Sequence, residues 1–347
     1  MNEIILRKEG FAGRATLNRP GALNAITLHM IRALGGALDR WATDDGIALI
    51  LIDATGERAF SAGGDIADMH DALARGEFET ARRFWREEYR LNAALANFSK
   101  PVVTLLNGFT MGGGVGLGCH ASHRVVGESS RVAMPECGIG LVPDVGGSLL
   151  LARAPGRAGE FLGTTGTRMG PGDAIFAGFA DRYVPEEDWP DLTARLEASG
   201  DPAEIVRVAR PAPESPLAAA ESDINRHFGG ETFRDILTSL AGTEDAWSRE
   251  TLARLEPHAP LALAATIELV RRARTAKRIE TALANEYRFA HRVTEQGDFL
   301  EGIRAAVIDK DRSPRWAHDS LCAATAEEVS DMLSPLGPEE LKLEDVT

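Results

Sequence analysis

The sequence has 347 residues, of which 38 are Lys or Arg, 52 are Asp or Glu, and 44% are hydrophobic. This length predicts two domains or one large domain with an appendage, and the apolar fraction is typical of a globular chain with a sizeable core. The net charge of −14 argues against nucleic-acid binding, which needs clustered Lys and Arg. No apolar run is long enough to span a membrane.

The cysteines and the N-terminus indicate the compartment. Cys119, Cys137 and Cys322 cannot all pair with one another and lack the spacing of a cysteine metal site. We therefore expect a reducing compartment and no disulfide framework. The N-terminal residues show neither a secretory nor a transit layout, so the sequence predicts a soluble, cytoplasmic protein.

Three units in the first half share one order, an apolar strand followed by a glycine-rich turn. The strands are predicted at Ile47–Ile52, at Pro101–Leu106 and at Arg124–Val126 with Arg131–Met134, and the turns at Phe60–Ile66, Asn107–Gly118 and Pro135–Gly147. Continuous apolar runs of this length are typical of strands buried on both faces. The recurrence of strand, turn and helix predicts an α/β fold whose loops gather at one edge.

The segment Glu79–Asn97 has the periodicity of an amphipathic helix. Phe84, Glu88, Leu91 and Leu95 fall on one face, so Glu88 lies within the apolar stripe. A carboxylate at a core position is costly unless it has a partner or a task. A salt bridge at a helix end, an error in the predicted register and a functional role all remain open for Glu88 at this point.

The second half is predicted to be helical and is poor in glycine. A proline-rich junction lies at Pro202–Pro216, and Leu283, Tyr287, Ala290 and Val293 form an amphipathic stripe beyond it. The domain boundary is therefore predicted near residue 200, which gives a core of residues 1–200 and a helical region of residues 201–347.

Two further features of the C-terminal part are predicted from local pattern. Asp298 and Glu301 have the spacing of a capping box that opens a helix to about Ile308, with Phe299, Ile303 and Ala306 on one face. The last stretch, Ser334–Thr347, is predicted to be a frayed tail.

Several common catalytic motifs are absent from the sequence. It has no P-loop, no G-x-S-x-G nucleophile elbow and no H-E-x-x-H zinc motif. His120 and His123 are close in sequence, but we expect them to be packing residues. The glycine-rich turns therefore remain as the candidate sites of chemistry.

Two of these turns can present backbone N–H groups to a ligand. The turns at Ala62–Asp65 and Gly112–Gly114 each precede a predicted helix, where the helix dipole favours negative charge. Two N–H groups converging on one oxygen would form an oxyanion hole, worth about 3–4 kcal/mol per donor, and such a hole suits a thioester carbonyl. Asp65 also has a structural role open to it, as the N-cap of its helix.

The third turn contributes two carboxyl groups. Glu136 and Asp144 each lie beside a proline and near glycines, with apolar residues between them. Carboxyl groups in rigid apolar loops can have raised pKa values and perform acid–base chemistry. Taken alone, each could equally be a turn residue.

Taken together, these segments resemble the crotonase (enoyl-CoA hydratase/isomerase) superfamily. The resemblance rests on LNRPGALNAIT at Leu17–Thr27, FSAGGDI at Phe60–Ile66, MGGGVGL at Met111–Leu117 and PECGIGLVPDVGG at Pro135–Gly147. REEYRLN at Arg86–Asn92 and FLEGIRAAVIDKDRSPRW at Phe299–Trp316 are similar to the 3-hydroxyisobutyryl-CoA hydrolase branch of that superfamily. The similarity extends over nearly the whole chain and is weakest around Asp191–Pro257.

The resemblance implies a fold and a ligand. The fold is a spiral of strand–strand–helix turns, followed by a helical C-terminal region. The oxyanion hole is assigned to the backbone N–H groups of Ala62 and Gly113. A CoA thioester is expected to pass Leu23–Ile26 and the Ala62–Asp65 turn, which assigns substrate binding to Gly63, Gly64 and Asp65. Arg58 is expected to be either a CoA contact or a solvated surface residue.

One departure from the superfamily pattern selects the reaction. Hydratases of this superfamily use two glutamates, and the position of the first is Gly116 in this sequence. The resemblance therefore implies thioester hydrolysis, in valine catabolism, rather than hydration. Glu136 would attack the carbonyl or activate water, Asp144 would hold the 3-hydroxyl of the substrate or assist proton transfer, and Glu88 would bind the same polar end.

Two alternatives remain open at this stage. An enoyl-CoA isomerase could use Glu136 as its single base, with enoyl-CoA hydration as the related alternative, and a catalytically silent protein could bind CoA thioesters without reaction. We expect no metal and no cofactor, since CoA is part of the substrate. We also expect no nucleic-acid partner and no membrane partner, and a homo-oligomer is possible.

Overall fold

The chain alternates short strands and helices as far as Tyr183 and is helical from Trp189 onward. The computed structural model describes residues 2–343, apart from the side chain of Asp68. The strands are β1 (Ile4–Glu9), β2 (Ala12–Leu17), β3 (Leu49–Ala54), β4 (Ala59–Ser61), β5 (Val102–Leu106), β6 (Phe109–Met111), β7 (His123–Val126), β8 (Arg131–Ala133) and β9 (Arg182–Tyr183).

The helices before and around the strands are α1 (Leu28–Ala42), α2 (Ala67–Ala74), α3 (Phe78–Ala96), α4 (Gly113–Gly118), α5 (Gly147–Arg153), α6 (Ala158–Thr165) and α7 (Pro171–Phe176). Those that follow are α8 (Trp189–Ser199), α9 (Ala203–Val208), α10 (Pro216–Ala219), α11 (Glu221–His227), α12 (Phe233–Ala241), α13 (Ala246–Leu255), α14 (Pro260–Ala273), α15 (Ile279–Gln296), α16 (Phe299–Ile303) and α17 (Ala326–Met332). Short 3₁₀ helices occupy Pro20–Ala22, Glu136–Ile139, Glu186–Asp188 and Gly337–Glu339.

Within residues 2–343, the strands form two sheets. The larger has the order β1-β2-β3-β5-β7-β9, in which only β1 and β2 run antiparallel. The smaller has the order β4-β6-β8 and is parallel. Successive strands thus alternate between the sheets, β3 to β4, β5 to β6 and β7 to β8, which is the expected spiral of strand–strand–helix turns.

The apolar strands are buried on both faces, as their composition predicted. In β3, Ile50 and Ile52 belong to the main core, whereas Leu49 and Leu51 face a second cluster with Leu192 and Leu196 of α8. Side chains of a strand alternate between faces, so a run of apolar residues suits a sheet covered on both sides. The predicted strand at Ile47–Ile52 is confirmed, with its bounds moved two residues along the chain.

The spiral places three turns at one edge of the molecule. Each turn follows a strand of the smaller sheet: Ala62–Asp65 follows β4, Gly112 follows β6, and Pro135 with Glu136 follows β8. Carboxyl ends of parallel strands meet at the same edge, which gathers glycine N–H groups and Glu136 around one space. The predicted gathering of loops is confirmed.

Two amphipathic helices are confirmed. Helix α3 matches the predicted Glu79–Asn97 within one residue, and Phe84, Glu88, Leu91 and Leu95 are all buried. Leu283, Tyr287, Ala290 and Val293 of α15 are buried as well. The two helices pack against each other, and Arg86 of α3 donates a 2.8 Å hydrogen bond to the hydroxyl oxygen of Tyr287.

The predicted capping box at Asp298 is wrong. The Asp298 carboxylate accepts a 2.8 Å hydrogen bond from the backbone N–H of Ala317 and does not cap α16. Helix α16 ends at Ile303, and a π-helical turn follows it over Arg304–Ile308. The wider turn shifts the side-chain phase, so Ala305 is buried and Ala306 is exposed, contrary to the predicted face.

The predicted frayed tail is also wrong over the part that the structure describes. Leu341 and Leu343 lie in the main core, and Glu340 accepts a 2.7 Å hydrogen bond from Arg288 on α15. Tertiary burial of two leucines therefore orders a segment whose local pattern gave no sign of order. Residues 344–347 of the predicted tail lie outside the described residues.

The proline-rich junction contains structure of its own. It holds α9, and the backbone N–H of Arg210 donates to the carbonyl of Tyr183 in β9 at 2.9 Å. The boundary near residue 200 stays a prediction. Within residues 2–343, no helix combines the length and the apolar character that crossing a membrane requires.

We predict that Leu341→Ala destabilises the protein by about 2–4 kcal/mol, because it leaves a cavity in the core. Chemical denaturation followed by circular dichroism measures the change. Leu300→Ala is the matched control, because Leu300 is 36% exposed whereas Leu341 is 6% exposed. Equal midpoints for the two variants would show that the C-terminal segment contributes nothing to the core.

Candidate active site

The gathered turns line a cavity of about 350 Å³. Its walls come from both halves of the sequence. The lining residues used below are Gly63, Gly64, Glu88, Gly112, Gly113, Glu136, Asp144, His258 and Phe299. The C-terminal helical region therefore closes a space that the strand-rich part opens.

The two candidate N–H turns approach each other closely. A Cβ placed on Gly113 would lie 3.3 Å from the backbone nitrogen of Gly64, and one placed on Gly63 would lie 3.8 Å from the nitrogen of Gly113. Gly63 has a φ of +110°, which residues with a Cβ rarely adopt. Only glycine lets these backbones approach a common ligand atom in this way.

The structure corrects one half of the predicted oxyanion hole. The Ala62 N–H donates a 3.0 Å hydrogen bond to the carbonyl of Leu23, so it is already engaged. Among the described residues, no acceptor receives the N–H of Gly64 or that of Gly113. The geometry therefore favours Gly64, two residues further along the turn, as the donor that faces Gly113.

Glu88 reaches the same space from α3. Its side chain is buried, and its Oε1 lies so close to Gly113 that a Cβ on that glycine would collide with it. Within residues 2–343, Oε1 has no hydrogen-bond partner. Burial, followed by the charge of Asp144, raises the pKa of Glu88 well above its ordinary value.

Glu136 begins the 3₁₀ helix that follows β8. It is buried, its Oε1 lies 2.9 Å from a Cβ placed on Gly112, and its Oε2 has no partner among the described residues. Burial and then the charge of Asp144 raise the pKa of Glu136 well above its ordinary value. The free oxygen leaves this carboxyl able to meet a ligand atom.

Asp144 lines the same cavity as these two carboxyls and has a partner. Its Oδ2 accepts a 2.7 Å hydrogen bond from the hydroxyl of Tyr89, the residue that follows Glu88 in α3. Burial raises the pKa of Asp144 to about 6, although the Tyr89 hydrogen bond favours the ionised form. Burial disfavours the ionised form of all three carboxyls, and the charge of Asp144 adds to this effect at Glu88 and Glu136.

Two residues predicted near the ligand have other surroundings. Asp65 does not cap α2, whose N-cap is Ile66. Its carboxylate accepts a 2.8 Å hydrogen bond from Arg19, and this contact orients the Ala62–Asp65 turn. Arg58 is exposed, which leaves both interpretations of this residue open.

Side chains from other segments of the chain fill the space beside Gly116. A Cβ at Gly116 would lie 2.7 Å from Nδ2 of Asn92 and 2.8 Å from the Cβ of Val145. Asn92 is fully buried, one helical turn after Glu88. A longer side chain at position 116 therefore has no room, and no carboxylate can enter the cavity from there.

Sequence reasoning missed two residues of this region. Glu286 on α15 is fully buried next to the turn that follows Asp144, within the apolar stripe that runs from Leu283 to Val293. The test that singled out Glu88, a carboxylate among core positions, would have found it. His258 lines the cavity with its Nδ1 2.8 Å from the carbonyl of Thr164, and no local pattern marked it.

Comparison with known proteins gives one consistent family. The enoyl-CoA hydratase/isomerase family matches residues 12–333. The chain is 37% identical to the mitochondrial 3-hydroxyisobutyryl-CoA hydrolase of Rattus norvegicus over 98% of this chain and 91% of that protein. It is 36% identical to the enzyme of the same name from Gallus gallus, with the same coverage.

Solved structures share the fold over the full length. A crystal structure of an enoyl-CoA hydratase from Rhodobacter sphaeroides is 53% identical, with a TM-score of 0.93 over 98% of this chain and all of that chain. A carnitinyl-CoA dehydratase from Mycobacterium thermoresistibile is 38% identical, with a TM-score of 0.94 over 99% of this chain and all of that chain. The predicted α/β spiral with a helical C-terminal region is thereby confirmed.

We predict that Asp144→Asn stabilises the protein above pH 6. Because the folded state raises the pKa of Asp144 to about 6, the ionised group destabilises the fold as pH rises from about 4 through 6. The amide carries no charge, so the variant should gain about 1–3 kcal/mol at pH 8 and almost nothing near pH 4.

Denaturation midpoints at pH 4.5 and pH 8, expected to diverge considerably more at the higher value, measure this gain. Asp39→Asn serves as the control because Asp39 is exposed on α1. A variant less stable than the wild-type protein at pH 8 would contradict the stated electrostatic cost.

We predict that Gly116→Ala destabilises the protein by about 1–3 kcal/mol, because the added methyl group must displace Asn92 and Val145. Gly35→Ala is the control: Gly35 also lies in a helix, but its Cβ would meet no atom within 4 Å. There the substitution should stabilise by about 0.5–1 kcal/mol. Urea denaturation of both variants separates crowding from helix propensity, and a stabilised Gly116→Ala would disprove the crowding.

Proposed function

The chain belongs to the enoyl-CoA hydratase/isomerase family, and we propose that it hydrolyses 3-hydroxyisobutyryl-CoA, or the related 3-hydroxypropionyl-CoA, to the free hydroxy acid and CoA. This reaction belongs to valine catabolism. One observation carries the proposal: three buried carboxyls, Glu88, Glu136 and Asp144, face paired glycine N–H groups in one cavity, while the position of the hydratase glutamate is packed shut. The curated relatives that carry the hydrolase name support it.

The paired N–H groups suit the thioester carbonyl. Gly64 and Gly113 would donate to its oxygen as that oxygen gains negative charge in the tetrahedral intermediate. Donors held in place by the fold need no reorganisation during reaction, and each is worth about 3–4 kcal/mol. Gly63 and the ion pair of Asp65 with Arg19 would hold the turn against the bound acyl-CoA.

Glu136 would start the reaction. In one route its carboxylate attacks the carbonyl carbon, the carbon–sulfur bond breaks, and CoA leaves as a thiolate that takes a proton. Water then opens the mixed anhydride. In the other route Glu136 takes a proton from water as that water attacks the carbonyl carbon, and the tetrahedral intermediate then breaks its carbon–sulfur bond and releases CoA as a thiolate that takes a proton. Both routes need an ionised Glu136, and its free Oε2 is the atom that would react or accept the proton.

Asp144 and Glu88 would recognise the hydroxylated end of the acyl group. The Asp144 carboxyl, held by Tyr89, would bind the 3-hydroxyl or pass a proton to the leaving group. Glu88, whose Oε1 lacks a partner among the described residues, would bind the same hydroxyl. An acyl group without that hydroxyl leaves buried carboxyls unsatisfied, which disfavours its binding.

An enoyl-CoA isomerase or hydratase is the second candidate. The solved structures with the names enoyl-CoA hydratase and carnitinyl-CoA dehydratase favour it, and one base such as Glu136 suffices to shuttle a proton. The packing around Gly116 argues against hydration, because hydration needs a second carboxylate and this position has no room for one. A silent CoA-thioester binder would release no thiol and shift no double bond.

The remaining properties are proposals that follow from the sequence. We expect catalysis without a metal or cofactor and a possible homo-oligomer. Cytoplasmic localisation stays a prediction, and the curated relatives are named as mitochondrial proteins.

We predict that the purified protein releases free thiol from 3-hydroxyisobutyryl-CoA and that Glu136→Gln lowers kcat by about three orders of magnitude or more. The amide keeps the shape of the side chain but cannot attack or accept a proton. The measurement is thiol release over a panel of acyl-CoAs that includes 3-hydroxypropionyl-CoA and isobutyryl-CoA, which lacks the hydroxyl.

Glu204→Gln is the control, since Glu204 is also a buried glutamate but forms its ion pair with Arg207 on α9. It should leave turnover unchanged. Rapid hydration of crotonyl-CoA without thiol release would overturn hydrolysis, and full turnover in Glu136→Gln would remove that residue from the mechanism.

A further inference from the structure

The turn that carries Asp144 is held by a carboxyl from a distant helix. Glu286 of α15 accepts hydrogen bonds at Oε2 from the Gly146 N–H, at 2.7 Å, and at Oε1 from the N–H of Ser148, at 3.0 Å, and from the Ser148 hydroxyl. We propose that Glu286 is a positioning residue for the reaction, one that fixes this turn and sets the proton affinity of the carboxyls in front of it. This inference rests on the proposed hydrolysis.

The backbone of the turn explains why it needs holding. Val145 has a φ of +53° and Gly146 a φ of +79°, so two consecutive residues are left-handed. A β-branched residue rarely adopts this conformation, and it persists only where the surroundings impose it. The Val145 carbonyl lies 2.8 Å from Nε2 of His120, and the Gly147 N–H donates to the Asp144 carbonyl at 2.6 Å.

A purely structural clamp would not need a charge. A neutral acceptor would satisfy the hydroxyl and the two N–H groups that donate hydrogen bonds to Glu286. None of these donors is a cation. A buried carboxylate without a cation is costly. The cost is explained if the charge acts on the carboxyls of the cavity.

The pKa shifts of Glu286 and Glu136 agree with a role for the charge of Glu286. Burial raises the pKa of Glu286 to about 7, and the charge of Asp144 adds to this. The charge of Glu286 in turn contributes to the raised pKa of Glu136. The ionisable groups around the turn are Glu88, Tyr89, Glu136, Asp144 and Tyr287, with His120 after α4 and Arg153 on α5.

The two helices that flank the turn carry the same three residues. Glu88-Tyr89-Arg90 on α3 and Glu286-Tyr287-Arg288 on α15 place their tyrosine rings edge to face, with centroids 6.2 Å apart. The pair on α3 thus supplies the Glu88 carboxyl that lines the cavity. The pair on α15 supplies the Glu286 carboxyl that holds the Asp144 turn.

The test compares Glu286→Gln, Ser148→Ala and Glu280→Gln with the wild-type protein, using kcat and kcat/KM for 3-hydroxyisobutyryl-CoA from pH 5 to pH 9. Glu286→Gln should lower kcat about tenfold or more. It should also move the acidic limb of kcat/KM to lower pH by roughly half a unit, because removing a negative neighbour makes Glu136 easier to ionise.

Ser148→Ala removes one of the three hydrogen bonds and keeps the carboxyl, although losing this bond makes Glu286 harder to ionise. It should lower kcat several-fold and move the limb in the same direction as Glu286→Gln does, but by less. Glu280→Gln alters a glutamate of the same helix that pairs with Arg278 and Asn97, and should change neither quantity. Unchanged kcat and pH profile in Glu286→Gln would overturn the inference. If that variant does not fold, wild-type kcat in Ser148→Ala would overturn it.

A measurement without substrate separates this inference from the proposed function. In protein labelled with ¹³C at the Asp and Glu carboxyls, the resonances that titrate well above pH 5 should titrate at lower pH in Glu286→Gln. Absence of that shift would contradict the role of Glu286. If Glu286→Gln shows this shift while the wild-type protein releases no thiol, the result counts against hydrolysis alone.

Discussion

The burial of three carboxyls, those of Glu88, Glu136 and Asp144, around one cavity is the constraint to which the surrounding structure responds. Each group is taken out of water, which raises its pKa, and the charge of Asp144 raises the pKa of Glu88 and of Glu136 further. Such an arrangement reduces the stability of the folded protein and persists only where the fold over-determines it. The Tyr89 hydroxyl on Asp144 is a direct compensation, and glycine N–H groups provide positive potential opposite the carboxyls.

The glycines around the cavity follow from that constraint. Gly112 and Gly113 lie where a Cβ would meet the carboxyls of Glu136 and Glu88. Gly116 is a different case, because there the missing side chain makes room for Asn92 and Val145 rather than for a ligand. The same residue type therefore has two roles: it lets backbone approach substrate, and it closes the position from which a second catalytic carboxylate would have entered.

The helical C-terminal region completes the site rather than merely covering it. Phe299 and His258 line the cavity, and Glu286 holds the Asp144 turn from behind. Helix α3 joins the two regions, since its carboxyl enters the cavity while Arg86 and Asn97 bond to α15. Substitutions on α15 can thus affect the cavity without contacting a bound ligand, because they change the position of the Asp144 turn and the charge beside it.

The sequence by itself determined the strands buried on both faces, helices α3 and α15, the place of Glu88 on the buried face of α3 and the family, because periodicity and local motifs carry these. It could not determine which N–H of the β4 turn is free, since that depends on the Leu23 carbonyl nearly forty residues earlier. Nor could it reveal that Asp65 pairs with Arg19, that Leu341 is buried, or that Glu286 stands behind Asp144. Those facts depend on contacts between segments far apart in the chain, which only the tertiary fold brings together.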